Sequence, residues 1–203
     1  MGVRGAALSI LRAAWSAVYT DEALVVFAIG PEQLKPVTPA SDGPWSAKSS
    51  DVASFETREA LPARVTVELQ SAPAGQWIHW IEIDGRIASW GFSTPWQGAW
   101  RLTETRSALH VPHGGVCLTA FETQPEFRGR RLYPAVLTAI LRSRFGGGAT
   151  RAYIWCRRQN HASYAAIKRV GFQEVAVHRY RRMLGVTRQW ESPWIPEDPP
   201  SAR

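Results

Sequence analysis

Three arginines and a glycine lie together in one turn of the chain, at Arg128, Gly129, Arg130 and Arg131. An apolar run ends shortly before this turn, and apolar residues at helical spacing begin just after it. The first backbone N–H groups of a helix have no intrahelical partner, and the helix dipole is positive there, so both favour an anion. The residue types and spacing therefore predict a phosphate cradle at a helix start. The alternative is an ordinary strand–turn–helix with a solvated basic turn.

A second polar pair, Asn160 and Ser163, follows the next apolar strand along the chain. The asparagine amide both donates and accepts hydrogen bonds, so Asn160 can bind an amide of a ligand or cap the helix that follows. Gly171 and Phe172 then end that helix. Alone this pattern is a weak signal, and its position one strand beyond the basic turn strengthens it.

The two segments resemble motifs A and B of the GNAT acyltransferase superfamily, whose motif A holds the pyrophosphate of acetyl-CoA. Arg128 and Gly129 match the opening of motif A, and residues 128–134 are similar to an RGRxLYP-type subgroup associated with polysaccharide or natural-product modification. Asn160 and Ser163 stand at the matching positions of motif B. Together the motifs span about residues 116–172.

Three positions depart from the family pattern. Arg131 and Tyr133 stand where the family has small residues around the phosphate. Ile167 stands where many members carry a tyrosine that protonates the leaving thiolate, and Tyr164 lies one turn earlier. The resemblance therefore supports coenzyme binding more directly than it supports catalysis.

The resemblance implies an α/β (α+β) fold, with a central mixed, mostly antiparallel sheet that is splayed at the acetyl-CoA site and flanked by helices. It also implies acetyl-CoA as the acyl donor, with no metal. The implied cofactor-binding residues are Phe121, Thr123, Arg128, Gly129, Arg130, Arg131, Leu132, Tyr133, Asn160 and Ser163.

The same resemblance implies direct attack of an amine or hydroxyl on the acetyl thioester. Backbone N–H groups near residues 121–123 would hold the oxyanion, and a base must take the proton of the nucleophile. Glu122 is the first candidate base, although it can instead pair with an arginine. The catalytic candidates are Glu122, Tyr164 and Glu104, with His110 or His113 as further bases.

The remaining elements are predicted from periodicity and turn residues. An apolar stripe that includes Leu8, Leu11 and Trp15 predicts an N-terminal helix. Asp84-Gly85 predicts a tight hairpin between strands 76–83 and 86–92. The other predictions are a strand at 23–29, a loop at 31–50, a helix at 59–70, a polar and aromatic loop or hairpin excursion at 93–115, helices after 131 and at 160–170, strands at 116–121 and 152–156, and a strand at 174–184 that ends the sheet.

The composition limits the class of protein but does not identify a substrate. The chain has 203 residues, 45% of them hydrophobic, and a net charge of +7. We expect one domain over residues 1–186 and an extended or disordered tail over 187–203. Cys117 and Cys156 are expected as buried free thiols, because their spacing suits neither a disulfide framework nor a zinc site. A cytoplasmic location is expected, since no run reaches the roughly 20 apolar residues of a membrane span.

The leading hypothesis is an acetyl-CoA-dependent N- or O-acyltransferase that acts on a small-molecule acceptor of amino sugar or natural-product type. The first alternative is a catalytically inactive GNAT-fold module that binds CoA or a partner. The second is a basic nucleic-acid-binding protein, which no recognition helix or aromatic stacking motif supports. A homodimer is left open. The overall basic charge favours neutral or anionic acceptors.

Overall fold

A computed structural model describes residues 19–40, 45–55, 63–184 and 186–193 of the chain. Its described part forms an eight-stranded sheet in the order β2-β3-β4-β5-β6-β1-β7-β8. The strands are β1 Tyr19–Ile29, β2 Trp45–Asp51, β3 Trp77–Ile83, β4 Arg86–Leu102, β5 Ser107–Thr123, β6 Arg151–Arg157, β7 Gln173–Met183 and β8 Val186–Pro193.

Within the described residues, three α-helices accompany the sheet: α1 Ala63–Gln70, α2 Leu132–Gly146 and α3 His161–Val170. Short 3-10 turns lie at Pro31–Gln33, Val52–Ser54 and Pro125–Phe127. Every pair of neighbouring strands is antiparallel except β5 and β6, which run parallel. The predicted class, a mixed and mostly antiparallel sheet flanked by helices, is confirmed.

The two faces of the sheet carry different layers. Alternate residues of a strand point to opposite faces, and in β1 Val25 and Phe27 pack with α2 and α3, whereas Leu24 and Val26 pack on the other side. That second face is covered by the far half of the β4–β5 hairpin, and α1 packs on β3 and β4. The sheet therefore separates α2 and α3 from the far half of the β4–β5 hairpin.

The β3–β4 hairpin confirms the Asp84-Gly85 prediction, because both turn residues have positive φ, 51° and 76°. Beyond it, the sequence leaves a loop or a hairpin excursion open at 93–115, and the structure shows the hairpin. β4 and β5 are each 17 residues long and pair as far as Leu102 and Ser107. The pairing shifts near Gly98, which has positive φ, and this irregularity interrupted the alternation that would have identified a strand.

Of the remaining predictions, some are confirmed, some are wrong and some lie outside the described residues. The strand at 23–29 is confirmed inside the longer β1, and the described part of the helix at 59–70 is α1. A loop throughout 31–50 is wrong, because β2 begins at Trp45 and pairs with β3. β7 does not end the sheet, since β8 pairs along it, so residues 187–193 of the predicted tail are a strand. The N-terminal helix lies outside the described residues, as do positions 194–203.

Both cysteines are free and buried, as predicted. Among the described helices, none is long and apolar enough to cross a membrane.

Candidate functional site

The parallel strands β5 and β6 pair at only three positions, Gly115 to Cys117 with Arg151 to Tyr153. Both strands then continue, to Thr123 and Arg157, without pairing with each other. A cavity of about 1030 Å³ lies at this opening, lined by residues 118–123 of β5 and 154–157 of β6. The two strands therefore form the walls of one site.

A bulge in β5 shapes the wall of this cavity. Trp90 pairs with Glu122 and Phe92 with Thr119, so Ala120 and Phe121 together face the single residue Gly91. Ala120 has a φ of 52°, a strained value for a residue with a side chain, and such residues cluster at functional sites. The bulge interrupts the β4–β5 ladder beside the cavity, where strand backbone is available to a ligand.

Gly91 is the residue that permits the bulge. A Cβ at this position would lie 2.2 Å from Cε1 of Phe121, far inside any real contact. A glycine within a strand often marks a bulge or a close approach, so Gly91 was the sequence signal for this feature, and the sequence analysis missed it.

The basic turn leads from β5 into α2. Gly129 has a φ of 80° and Arg131, the residue that precedes α2, has a φ of 57°. Arg128 Nε donates to the carbonyl oxygen of Thr123 at 3.2 Å and so ties the turn to the end of β5. A Cβ at Gly129 would meet no atom within 4 Å. The backbone is therefore open on this side, as an anion cradle requires.

The start of α3 closes the other side of the cavity. Asn160 Oδ1 accepts a hydrogen bond from the backbone N–H of Ser163 at 3.1 Å, so Asn160 caps α3. The hydroxyls of Tyr133 and Ser163 lie 3.0 Å apart and join α2 to α3. The Tyr133 ring lies 5.1 Å from that of Phe121. The bulky Tyr133 thus bridges three elements around the cavity.

Burial favours the neutral forms of Tyr133 and Cys156. It raises the pKa of the Tyr133 phenol, against the opposing hydrogen bond with Ser163. Burial also raises the pKa of the Cys156 thiol to about 11. Cys156 is therefore a thiol rather than a thiolate at neutral pH, which argues against a nucleophilic role.

Most of the residues predicted for the site line the one cavity. They are Glu104, Phe121, Glu122, Thr123, Arg128, Gly129, Arg131, Leu132, Tyr133, Asn160 and Ser163.

Four predicted residues do not line the cavity: Arg130, Tyr164 and the further candidate bases His110 and His113, which are exposed on β5. The Arg130 guanidinium stacks on Phe127, 5.5 Å from the ring centroid. The Tyr164 hydroxyl donates to Glu174, and its ring packs edge-on against Phe27. Burial, followed by the hydrogen bond to Glu174, raises the pKa of Tyr164 to about 12.

Further lining residues were not in the predicted set. Tertiary folding brings them from α1 and the turn after it, from the tip of the β4–β5 hairpin and from β6. They are Glu68, Ser71, Pro73, Gln76, Trp100, Arg101, Thr103, Trp155 and Arg157. No sequence motif joins these segments, although Trp100 stood out as an aromatic residue in the predicted loop. The described residues contain no cluster of His, Cys, Asp and Glu that could hold a metal.

Comparisons with known proteins identify the fold that carries this cavity. No family profile and no curated protein matches the sequence. A tandem GNAT protein from the clavulanic acid biosynthesis pathway, solved without acetyl-CoA, is similar in structure, with a TM-score of 0.52 and 15% identity over 92% of this chain and 59% of its own. The chain has the GNAT fold.

Two further solved structures are similar to this GNAT fold. A Drosophila protein has a TM-score of 0.52 and 15% identity, covering 89% of this chain and 58% of its own. A protein of unknown function from Staphylococcus epidermidis has a TM-score of 0.50 and 9% identity, covering 85% and 65%. The chain thus spans less than two thirds of the length of each of these structures. Identities this low establish the fold and nothing further.

Proposed function

We propose that this chain is an acetyl-CoA-dependent acyltransferase that acylates an amine or hydroxyl of a small molecule. One observation carries the proposal: the bulged end of β5 and the basic turn before α2 line the same cavity. A strand with a strained bulge supplies polar backbone, and the helix start supplies an anion site. A thioester that carries a pyrophosphate needs both features.

The residues present fit such a donor. The open turn at Gly129 and the first N–H groups of α2 would bind the pyrophosphate, and Asn160 with Ser163 would bind the pantetheine amides. Backbone N–H groups at Phe121 and Thr123 would donate to the carbonyl oxygen as negative charge develops there. When bound, acetyl-CoA supplies an acyl group activated as a thioester.

Glu122 and Glu104 are the proposed bases. Both are half-buried, and both line the cavity. Either carboxylate would take the proton of the acceptor directly or through a water molecule. The RGRxLYP-type turn supports an amino sugar or natural-product acceptor. The cytoplasmic location and the homodimer stay predictions.

Binding of CoA tests the proposal by thermal shift and calorimetry. We expect CoA at 100 times its Kd to stabilise the fold by about 2.7 kcal/mol. Arg128→Gln should weaken CoA binding, whereas Arg130→Gln should not, because Arg128 lines the cavity and Arg130 does not. Each variant removes one positive charge, so the pair is matched. Absence of stabilisation at millimolar CoA contradicts the proposal.

A second candidate function is a GNAT-fold module that binds CoA without transferring the acyl group. Two observations favour it: Ile167 is fully buried, and the Tyr164 hydroxyl is engaged by Glu174. Neither residue lines the cavity, so neither offers a proton to a departing thiolate there. Acetyl transfer followed by mass spectrometry across an acceptor panel decides between the two, since robust turnover of any acceptor rejects the inactive module.

A further inference from the structure

The tip of the β4–β5 hairpin, residues 100–104, forms one wall of the cavity. Leu102 at the end of β4 is fully buried, and Leu109 on β5 is 7% exposed, both in a cluster with Leu24 and Val26 of β1. The far half of the hairpin is therefore laid across the sheet face opposite α2 and α3. This placement brings residues 100, 101, 103 and 104 to the cavity, although they lie far along the hairpin from the β5 bulge.

The tip is held in place by contacts to β7. Ser107 Oγ lies 3.0 Å from Nδ1 of His178, whose side chain is buried, and 2.8 Å from Oγ1 of the buried Thr105. The Arg106 guanidinium lies 5.1 Å from the ring centroid of Tyr180. These hydrogen bonds and the stacking at residues 105–107 join the hairpin to β7 immediately after the tip.

Aromatic rings form the surface of this wall. Trp100 of the hairpin and Trp155 of β6 both line the cavity and are half-buried, with ring centroids 6.0 Å apart and planes tilted by 55°. Trp96 packs edge-on against Trp100 at 5.0 Å. Trp96 thus supports the indole of Trp100, which can take the apolar face of a ring.

Carboxylates dominate the charge beside these rings. Glu68 and Glu104 are half-buried, and neither forms an ion pair with another described residue. Glu122 adds a third carboxylate from β5. Arg101 of the hairpin tip and Arg157 of β6 also line this part, and Arg157 lies 3.4 Å from Glu22, which offsets its charge. Glu68, Glu104 and Glu122 thus outnumber these two arginines, so the lining around the hairpin tip is acidic in a chain whose net charge is +7.

A buried amide adds a further polar group to the same part of the cavity lining. Gln76 is 4% exposed, and its Nε2 donates to Thr94 Oγ1 at 3.1 Å. Its Oε1 has no hydrogen-bond partner among the described residues. A buried amide oxygen without a donor is costly, and a donor from a bound molecule or a water would satisfy it.

We infer that the tip of the β4–β5 hairpin selects the acyl acceptor, and that this acceptor is a cationic amine with a flat ring or ring face that lies on Trp100 and Trp155. Glu68 and Glu104 bind its second positive charge, while its reacting amine is directed to the β5 bulge. This inference rests on the proposed acyltransferase function. It reverses the preference for neutral or anionic acceptors drawn from overall charge, because the field inside a cleft is set by nearby groups.

Three para-substituted benzylamines with a common ring and a common reacting aminomethyl group test the inference. The second substituent is aminomethyl, methyl or carboxylate, which makes it cationic, neutral or anionic, and rates for the diamine are divided by two because either of its amines can react. We expect binding to the CoA-loaded chain, followed by ligand-observed NMR, and acetylation kcat/KM to fall in the order cation, neutral, anion. The cation should exceed the anion by at least tenfold. Glu104→Gln should reduce this ratio several-fold, and Trp100→Ala should weaken all three compounds.

Glu32→Gln is the control, because it also removes one negative charge but lies on an exposed turn outside the cavity lining. It should leave the ratio unchanged. If CoA binds and the three compounds show equal or reversed order, in binding or in transfer, the inference is overturned and the proposed function stands. The same holds if Glu104→Gln and Glu68→Gln both leave the ratio unchanged. If CoA itself does not bind, the proposed function fails.

Discussion

At the scale of single residues, Gly91 and Ala120 determine the shape of the cavity wall. Ala120 takes a positive φ, and Gly91 leaves the space into which the Phe121 ring projects. A strained residue of this kind costs on the order of 1–3 kcal/mol, and it persists only where the surrounding structure holds it. Here, pairing on both sides of the bulge holds it.

Gly91→Ala should destabilise the fold by about 1–3 kcal/mol, because its Cβ overlaps Phe121 and must displace the ring or β5. CoA binding should weaken with it. Urea denaturation and calorimetry measure the two effects. Gly146→Ala is the control, since a Cβ there meets nothing within 4 Å and φ is ordinary for a helix. Equal effects of the two substitutions would contradict this account of the bulge.

Glu122→Gln should lower kcat by about 10²- to 10⁴-fold if Glu122 is the base. The amide keeps the size of the side chain, so the Kd for CoA should change little. Steady-state kinetics and calorimetry separate the two quantities. Glu126→Gln serves as a control, because Glu126 is exposed, pairs with Arg86 and does not line the cavity. An unchanged kcat in Glu122→Gln would assign the base to Glu104 or to water.

At the scale of elements, Asn160 caps α3, and the proposed function gives the same residue a contact with pantetheine. Asn160 Oδ1 is occupied by the Ser163 N–H, so the cap uses the amide oxygen. The Asn160 amide nitrogen belongs to the same side chain at the cavity and is the group a pantetheine carbonyl would need. The cap and the ligand contact are therefore compatible roles of different atoms.

Two substitutions at Asn160 separate these roles. Asn160→Asp keeps an oxygen for the cap and should leave stability nearly unchanged, yet it should weaken CoA binding because the N–H donor is lost. Asn160→Ala should lose both the helix cap and the N–H donor, with a stability cost of about 1 kcal/mol. Thermal denaturation without ligand and calorimetry with CoA give the two readouts. Full CoA affinity in Asn160→Asp would leave the residue as a cap alone.

At the scale of the whole molecule, buried histidines couple stability to pH. His79 is 2% exposed, Ser93 Oγ lies 2.8 Å from its Nε2, and Arg144 Nε donates to the same Ser93 Oγ at 2.7 Å. This network joins the end of α2 to β3 and β4. Burial, followed by the charge of Arg144, lowers the pKa of His79 to about 3. Burial also lowers the pKa of His178 beside the hairpin tip.

Stability should therefore fall as pH drops from about 6.5 toward about 3. In this window the unfolded chain binds a proton at His79 and the folded chain does not, so the loss is about 1.4 kcal/mol per pH unit. Above pH 6.5 both states are neutral and the contribution is fully present. Urea denaturation at pH 7, 6, 5 and 4 measures the slope for the native chain and for His79→Gln. The variant should lose this part of the slope, and an equal slope would contradict the assignment.

The sequence by itself determined the features that neighbouring residues decide. Asp84-Gly85 marked the β3–β4 turn, because a two-residue hairpin needs positive φ at both positions. The switch from strand to helix around Arg128 and the cap at Asn160 were also evident, since caps and helix periodicity involve residues within about four positions. The GNAT fold was predicted from the resemblance of the two motifs, and most of the residues that the resemblance implies for the coenzyme line the cavity.

Tertiary structure alone decided the part of the cavity that we propose binds the acceptor. Gln76, Trp100 and Trp155 come from three separated segments, and only the pairing of β4 with β5 and the separation of β5 from β6 bring them to one cavity. Packing of α3 against β7 likewise brings the Tyr164 hydroxyl to Glu174 and not to the cavity lining. Local periodicity carries no information about such pairings, because they depend on strand register and packing between residues far apart in the chain.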